Sequence, residues 1–168
     1  IEVLEANTEF PLRLMDAAKV AGVGIFINTD TILDKYLNLY SLSKSQLLEW
    51  GRFFSIHNKM FFVNMKLEHF YGPGDEDSKF TMYVMKSCIK NVPELKLTLG
   101  EPERDLIYID DVISAYLIIL EKLEGFSDFF NEFHVGSGTA VSIRDFVEKV
   151  HYITEAQTHL AFGCLPYR

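Results

Sequence analysis

The sequence predicts an α/β fold in which parallel strands are joined by crossover helices. In the first half of the chain, two helical patterns near residues 8–21 and 38–57 alternate with apolar runs at residues 23–29 and 60–67. An uninterrupted apolar run of this length is typical of a strand that is buried on both faces of a sheet. Because helix and strand alternate, consecutive strands are expected to be parallel.

Residues with known preferences for helix ends and turns mark the element boundaries. In the first helix, Thr8 is a candidate N-cap, Pro11 lies in the first turn and Gly22 follows the last apolar residue. The second half of the chain predicts three further helices: one near 78–91, one from Asp110 or Asp111 to about Leu123, and one after the N-cap Ser142. It also predicts short strands at Lys96–Leu99, Leu106–Ile109 and Phe133–Val135.

Length and composition limit the class of protein. A chain of 168 residues can bury a sizeable core and suits one domain. The net charge of -8 argues against nucleic acid as a partner, and no apolar run is long enough to cross a membrane. The two cysteines, Cys88 and Cys164, have no C-x-x-C spacing, which favours a reducing compartment and predicts a cytoplasmic location. The five histidines show no metal-ligand spacing, so no metal site is expected.

Tyr40 and Lys44 are the residues that most directly suggest chemistry. They are four residues apart at the start of a predicted helix, and Thr29 ends the preceding predicted strand. An ammonium group one helical turn away favours the phenolate form of a tyrosine, whose ordinary pKa is about 10. Thr29, Tyr40 and Lys44 could therefore form a proton-transfer site at the carboxyl edge of the sheet. The alternative is an exposed helix pair worth a few tenths of a kcal/mol.

Five motifs along the chain carry a family resemblance. In order, they are Asn28-Thr29-Asp30-Thr31, Tyr40-x-x-x-Lys44, Lys66-Leu-Glu-His-Phe-Tyr-Gly-Pro-Gly74, Arg104-Asp-Leu-Ile-Tyr-Ile-Asp-Asp-Val112, and Val135-Gly-Ser-Gly138 followed by Val141-Ser142. Together they resemble the extended short-chain dehydrogenase/reductase family, the NAD-dependent epimerases and dehydratases. The resemblance is closest to nucleotide-sugar 4-ketoreductases of the CDP-abequose synthase type.

The resemblance implies a fold and a set of catalytic residues. The fold would be part of a Rossmann-type doubly wound parallel sheet with elements of a small C-terminal substrate-binding α/β region. Tyr40 would be the general acid/base, and Thr29 would hydrogen-bond the reacting oxygen of the substrate. Lys44 would lower the pKa of the phenol. With Tyr40 and Asn7, it would also contact the cofactor, NAD or NADP.

Substrate contacts are implied at three further positions. Arg104 and Arg168 match the two pyrophosphate-binding arginines of the family, since guanidinium groups bind phosphate oxygens in a bidentate way. His69 occupies a position at which most of the family has a substrate-binding asparagine. Thr31 replaces the glutamate with which sugar 4,6-dehydratases eliminate water, so elimination is not expected.

The glycine-rich dinucleotide motif of the family does not occur in this sequence. Because Ile1 opens the chain in place of Met, we expect a partial chain with one partial domain. About residues 1–67 and parts of 95–140 would belong to the catalytic sheet, and about 68–94 and 140–168 to the substrate-binding portion. A homodimer is implied for the full-length parent. It would pair through the helix that carries Tyr40, where Trp50 and Phe54 could lie at the interface or in the core.

The resulting hypothesis is an NAD(P)-dependent reductase that acts at C4 of a nucleotide-linked 4-keto hexose in surface-polysaccharide sugar synthesis. Its partner would be a nucleotide-sugar, with no nucleic acid and no membrane. Two alternatives remain open at this point. One is a 4-epimerase of the same family, which uses the same residues. The other is a non-catalytic fragment that is unable to bind a dinucleotide.

Overall fold

The chain forms two compact units, which a computed structural model describes over residues 1–122 and 125–167. The first unit contains residues 1–68 and 112–135, and the second contains residues 69–111 and those from 136 onward. We describe each unit by itself. The assignment of residue ranges to a catalytic and a substrate-binding portion stays a prediction.

The elements along the chain are helices that, from residue 10 onward, are separated by single strands or by two consecutive strands. They are α1 (Glu2–Leu4), a π-helical turn (Glu5–Glu9), α2 (Phe10–Val20), β1 (Ile25–Thr31), α3 (Leu39–Asn58), β2 (Phe61–Leu67), β3 (His69–Tyr71), α4 (Phe80–Ile89), β4 (Glu94–Lys96), β5 (Glu103–Tyr108), α5 (Ile109–Glu121), β6 (Phe130–Val135), β7 (Ala140–Ser142), α6 (Ile143–Ile153) and β8 (His159–Ala161).

The first helix begins earlier than the sequence predicted. Thr8 is not its N-cap, because it lies inside the π-helical turn that continues α1 into α2. Its side chain is buried, and its hydroxyl donates a hydrogen bond of 3.1 Å to the carbonyl oxygen of Ser43 in α3. Thr8 therefore joins two helices and does not start one.

A parallel sheet of order β1-β2-β6 forms the first unit and confirms the predicted α/β fold class. β2 is the central strand, and four consecutive residues of it, 62–65, are buried. β1 is less buried than its apolar sequence suggested, with Ile25, Phe26 and Ile27 only partly covered. The reason is that, within the part of the chain that the structure describes, β1 pairs with β2 alone.

Aromatic stacking organises the core of this unit. The fully buried ring of Phe62 lies between Phe26 and Phe130, at centroid distances of 6.0 Å and 6.1 Å and interplanar angles of 3° and 9°. Gly51 of α3 leaves room for this ring, since a Cβ atom there would be 2.2 Å from the Phe62 ring. The core also contains the buried residues Met15, Leu47, Leu48 and Met60.

The start of α3 is fixed by a capping box. The Asn38 side chain accepts a hydrogen bond of 2.9 Å from the Ser41 amide, and the Ser41 hydroxyl accepts one of 3.3 Å from the Asn38 amide. Such a box satisfies two of the amide donors that a helix start leaves open. Because the helix begins at Leu39, Tyr40 and Lys44 lie in its first two turns.

The second unit contains a mixed sheet of order β3-β5-β7 and the parallel pair β4-β8. β3 pairs with β5 in parallel, and β5 pairs with β7 antiparallel. Its core contains Val84, Cys88, Leu95, Leu97 and Val147. The predicted N-cap Ser142 is confirmed, because its hydroxyl accepts a 3.0 Å hydrogen bond from the Asp145 amide.

Asp105 connects two of the sequence motifs within this unit. Its carboxylate accepts hydrogen bonds from the Ser137 amide at 2.9 Å, the Ser137 hydroxyl at 2.6 Å and the Gly138 amide at 2.8 Å. Burial opposes ionisation of Asp105, but these hydrogen bonds and the nearby His69 outweigh it and lower the pKa of Asp105. The Arg-Asp motif therefore anchors the Gly-Ser-Gly turn.

Candidate active site

The carboxyl end of β1 and the first two turns of α3 bring Thr29, Tyr40 and Lys44 together. The Lys44 ammonium donates a hydrogen bond of 2.9 Å to the carbonyl oxygen of Thr29. The same Nζ atom lies 5.8 Å from the centroid of the Tyr40 ring. The Tyr40 side chain is well exposed, at 41%, so its ring is accessible from solvent. The arrangement places an amine, a phenol and a threonine at one end of a parallel strand.

The Thr29 hydroxyl has a partner that the sequence did not reveal. Its Oγ1 atom lies 2.5 Å from the hydroxyl of Tyr116 in α5, and either group can be the donor. Tyr116 is 87 residues away in sequence, so no local spacing could have identified it. The two hydroxyls form a short polar pair next to the Lys44 contact.

Burial and one carboxylate act in opposite directions on Lys44. Partial burial disfavours the ammonium and lowers the pKa of Lys44, while the negative charge of Asp30 raises it in part. Asp30 follows Thr29 directly, and its side chain is only 5% exposed. The pKa of Lys44 therefore reflects both its own burial and the charge of Asp30.

A network of polar side chains holds Asp30 on the face of the sheet that also carries the aromatic stack. The Asn64 amide donates to Asp30 Oδ2 at 2.9 Å and to Glu132 Oε2 at 3.0 Å. The Asn28 amide donates to Asn64 Oδ1 at 2.7 Å. Lys66 donates to Glu132 Oε1 at 3.1 Å, so this lysine is part of an ion pair inside the unit. The alternate positions of these residues in β1 and β2 are the signal in the sequence that could have revealed the network.

A cavity of about 270 Å³ opens beside this network. Its polar lining comes from the end of β1, the loop after it, the start of α3 and the ends of β2 and β6. The residues include Asp30, Thr31, Ser41, Ser45, Lys66 and His134. Tyr40 and Lys44 are not among the lining residues, because they lie on the neighbouring face of α3.

Asn7, the third predicted cofactor contact, lies in the π-helical turn of the first helix. π-helical turns occur frequently at functional sites. The Asn7 amide donates a 3.1 Å hydrogen bond to the Val3 carbonyl within the same helix. This bond fixes the orientation of the side chain, and a cofactor role for Asn7 stays a prediction.

Two of the predicted substrate contacts belong to the second unit. His69 lies in β3 opposite Leu106 and acts electrostatically on Asp105. Arg104 is exposed, and its guanidinium donates a 2.6 Å hydrogen bond to the carbonyl oxygen of Glu103. Arg168 lies outside the described residues. The substrate-binding roles of all three stay predictions.

Phe54 and Trp50, the two aromatic residues weighed for an interface, differ in their surroundings. Phe54 is partly buried and packs against the core of the first unit, whereas Trp50 is 47% exposed. Within the described residues, no group of three or more histidine, cysteine or acidic side chains could hold a metal ion. The same part of the chain contains no helix that is both long and apolar enough to span a membrane.

Comparison with known proteins identifies the family. The model of the NAD dependent epimerase/dehydratase family matches residues 1–131. The chain belongs to this family. Members of the family named CDP-abequose synthase are similar to it in sequence. The one from Salmonella typhimurium is 38% identical over 153 residues, which cover 88% of this chain and 51% of the relative. The one from Salmonella muenchen is 32% identical and covers 99% of this chain and 58% of the relative.

Solved structures of the same fold agree with the observed architecture. A UDP-glucose 4-epimerase from Thermotoga maritima superposes with a TM-score of 0.84 at 19% identity, over 98% of this chain and 58% of that chain. The protein RMD from Pseudomonas aeruginosa, solved with NADPH, gives a TM-score of 0.82 at 19% identity, over 98% of this chain and 62% of that one. At this identity the likeness shows the Rossmann-like fold alone. The chain spans about half the length of the curated relatives that it matches.

Proposed function

We propose that this chain carries the proton-transfer site of an NAD(P)-dependent nucleotide-sugar reductase that acts at C4 of a 4-keto hexose. The observation that supports this proposal most strongly is the convergence of Thr29, Tyr40 and Lys44 at the end of β1, with the lysine bonded to the Thr29 carbonyl. The family match to residues 1–131 supplies the class of reaction.

The side chains at this edge fit the nicotinamide ribose of the cofactor. An accessible phenol lies next to an amine that can donate two further hydrogen bonds, and ribose hydroxyls accept such bonds. Lys44 and Tyr40 would hold the ribose, and Asn7 would contact the cofactor from the first helix. The bound cofactor supplies the hydride that reaches C4 of the sugar.

The protein residues then account for the proton. The Tyr40 phenol donates its proton to the C4 carbonyl oxygen as hydride arrives at the carbon, which yields a hydroxyl group and a tyrosinate. The Lys44 ammonium stabilises the tyrosinate electrostatically until a proton returns from solvent. The Thr29 hydroxyl, held by Tyr116, donates a hydrogen bond to the same substrate oxygen and orients it.

Two observations favour reduction over elimination of water. Thr31 stands in place of the glutamate of the dehydratases and has no group that could act as a base near neutral pH. Asp30 is less suited as a substitute, because Asn64 donates to one of its oxygens and the Thr31 amide to the other, at 2.8 Å. Both oxygens of this carboxylate are therefore engaged inside the protein.

The relatives and the second unit suggest the rest of the substrate. A CDP-linked sugar is favoured by the names of the relatives, which are CDP-abequose synthases. Arg104 and Arg168 would bind the pyrophosphate, and His69 would also contact the substrate. The product would be a precursor of surface polysaccharide, made in the cytoplasm by a homodimer.

A 4-epimerase is the first alternative, since it needs the same proton-transfer residues. It differs from a reductase in that the hydride is first taken from the sugar and is then returned to it. The second alternative is a non-catalytic chain that binds no dinucleotide. This sequence has no glycine-rich phosphate loop. Gly22 and Gly24 precede the strand β1, whereas the glycines of a phosphate loop precede a helix.

Titration calorimetry with NADH and NADPH tests whether the chain binds the cofactor. We expect micromolar binding of one of the two, and about tenfold weaker binding by Lys44→Met, which loses a charged donor to the ribose. Lys19→Met is the matched control, because Lys19 is an exposed lysine in the last turn of α2. Absence of binding by the unmodified chain would favour the non-catalytic alternative.

A further inference from the structure

Asn64 is a fully buried polar residue of the first unit that forms hydrogen bonds with three other side chains. It lies in the middle of the central strand β2. Its carboxamide is used at both ends, because Oδ1 accepts from Asn28 while Nδ2 donates to Asp30 and to Glu132. The opposite orientation of the amide would direct its oxygen at two carboxylates. The network therefore permits one orientation only.

This arrangement holds the Asp30 carboxylate in place. A polar group that is 5% exposed needs hydrogen-bond donors to compensate for the lost water. Asn64 supplies a donor to Oδ2, and the Thr31 amide supplies one to Oδ1. Removal of the Asn64 donor would leave Oδ2 without this hydrogen bond and would free the carboxylate to turn toward the cavity that it lines.

Among the charged groups around Asp30, Lys44 is the one whose pKa we expect to respond to the Asp30 charge. Lys66 lies opposite Asp30 in the β1-β2 register but is committed to Glu132 at 3.1 Å. His134 lies beyond Lys66 on β6 and is exposed. From α3, Lys44 faces the end of β1, and Asp30 is the charged group that acts on it. Tyr40 lies next to this lysine.

We propose that Asn64 is a positioning residue of the proton-transfer site: its carboxamide holds the Asp30 carboxylate at the end of β1, next to the Thr29 carbonyl that binds the Lys44 ammonium beside Tyr40. This proposal deepens the proposed function and rests on it for the role of Lys44. The coupling from Asn64 through Asp30 to Lys44 can be measured without any cofactor or substrate.

The experiment is a pH titration of the chain labelled with ¹³C at the ε carbon of lysine, followed by NMR. The Lys44 resonance is assigned as the one that Lys44→Arg removes. In Asn64→Leu we expect the pKa of Lys44 to fall by about half a unit or more, because the Asp30 carboxylate is no longer held by Asn64 and its negative charge can move away from the ammonium. Lys44 then loses its charge at a lower pH than in the unmodified chain.

Asn28→Leu is the matched control. It breaks the same buried network at its other end but removes no donor from Asp30. We expect it to destabilise the fold to a similar extent and to shift the Lys44 titration much less. An equal shift in the two variants, or an unchanged Lys44 titration in folded Asn64→Leu, would overturn the proposal.

Asp30→Asn keeps the test decisive if Asn64→Leu does not fold. This substitution retains the shape of the side chain and removes its charge, so the pKa of Lys44 should fall at least as far as in Asn64→Leu. An unchanged titration would again refute the coupling. Because none of these readouts involves NADH or NADPH, failure of the calorimetric test of the proposed function would leave them unaffected.

Discussion

Tyr40→Phe is expected to lower the rate of hydride transfer to a nucleotide-linked 4-keto sugar by about 10²–10⁴-fold, the usual contribution of a general acid. The phenol beside Lys44 is the proposed proton donor, and phenylalanine keeps the ring while removing the acidic hydroxyl. Binding of the dinucleotide should change by only a few fold, since Lys44 would still be present to contact the ribose. The measurement is the single-turnover rate of NAD(P)H oxidation under saturating cofactor and sugar.

Tyr36→Phe is the matched control for this prediction. Tyr36 lies in the loop before α3, is 79% exposed and also has a lysine near its ring, Lys35 at 5.1 Å. Its replacement should leave the rate unchanged. Undiminished transfer by Tyr40→Phe would refute the assignment of Tyr40 as the acid.

Phe62→Ala is expected to have the largest effect on stability, a loss of about 3–5 kcal/mol in the free energy of unfolding. The fully buried Phe62 ring stacks on Phe26 and Phe130, so its removal leaves a cavity across three strands. Urea denaturation followed by circular dichroism measures the change. A loss below about 1 kcal/mol would show that the core does not depend on this stack.

Gly51→Ala provides a second test of the same contact. In the unmodified chain the new Cβ atom would be 2.2 Å from the Phe62 ring, so we expect a loss of about 1–3 kcal/mol from overpacking. In a Phe62→Ala background the ring is absent, and alanine should be neutral or stabilising because it favours helix more than glycine. Additive effects of the two substitutions would contradict the close contact.

The sequence was most informative about residues that are close to one another along the chain. Tyr40 and Lys44 are one helical turn apart, and Thr29 ends the strand before them, so their convergence follows from the geometry of a strand–helix connection. The turn at Gly136–Gly138 and the cap at Ser142 could also be read from single residues, since each has strong local preferences.

Contacts between distant segments could not be read in this way. Tyr116 reaches Thr29 across 87 residues, and Asn64 meets Glu132 across 68. The alternate positions of the polar residues in β1 and β2 could be seen in the sequence, but which of these residues meet became known only with the strand register. The partial burial of β1 likewise depends on which strands lie beside it.

Transfer of a labelled hydride tests the central claim most directly. The protein is incubated with NADH or NADPH carrying deuterium at C4 of the nicotinamide and with a CDP-linked 4-keto hexose, and the sugar is analysed by NMR and mass spectrometry. We predict deuterium at C4 of the sugar together with stoichiometric oxidation of the cofactor. Recovery of the 4-keto sugar without label and with no net oxidation of cofactor would contradict the assignment of a 4-ketoreductase.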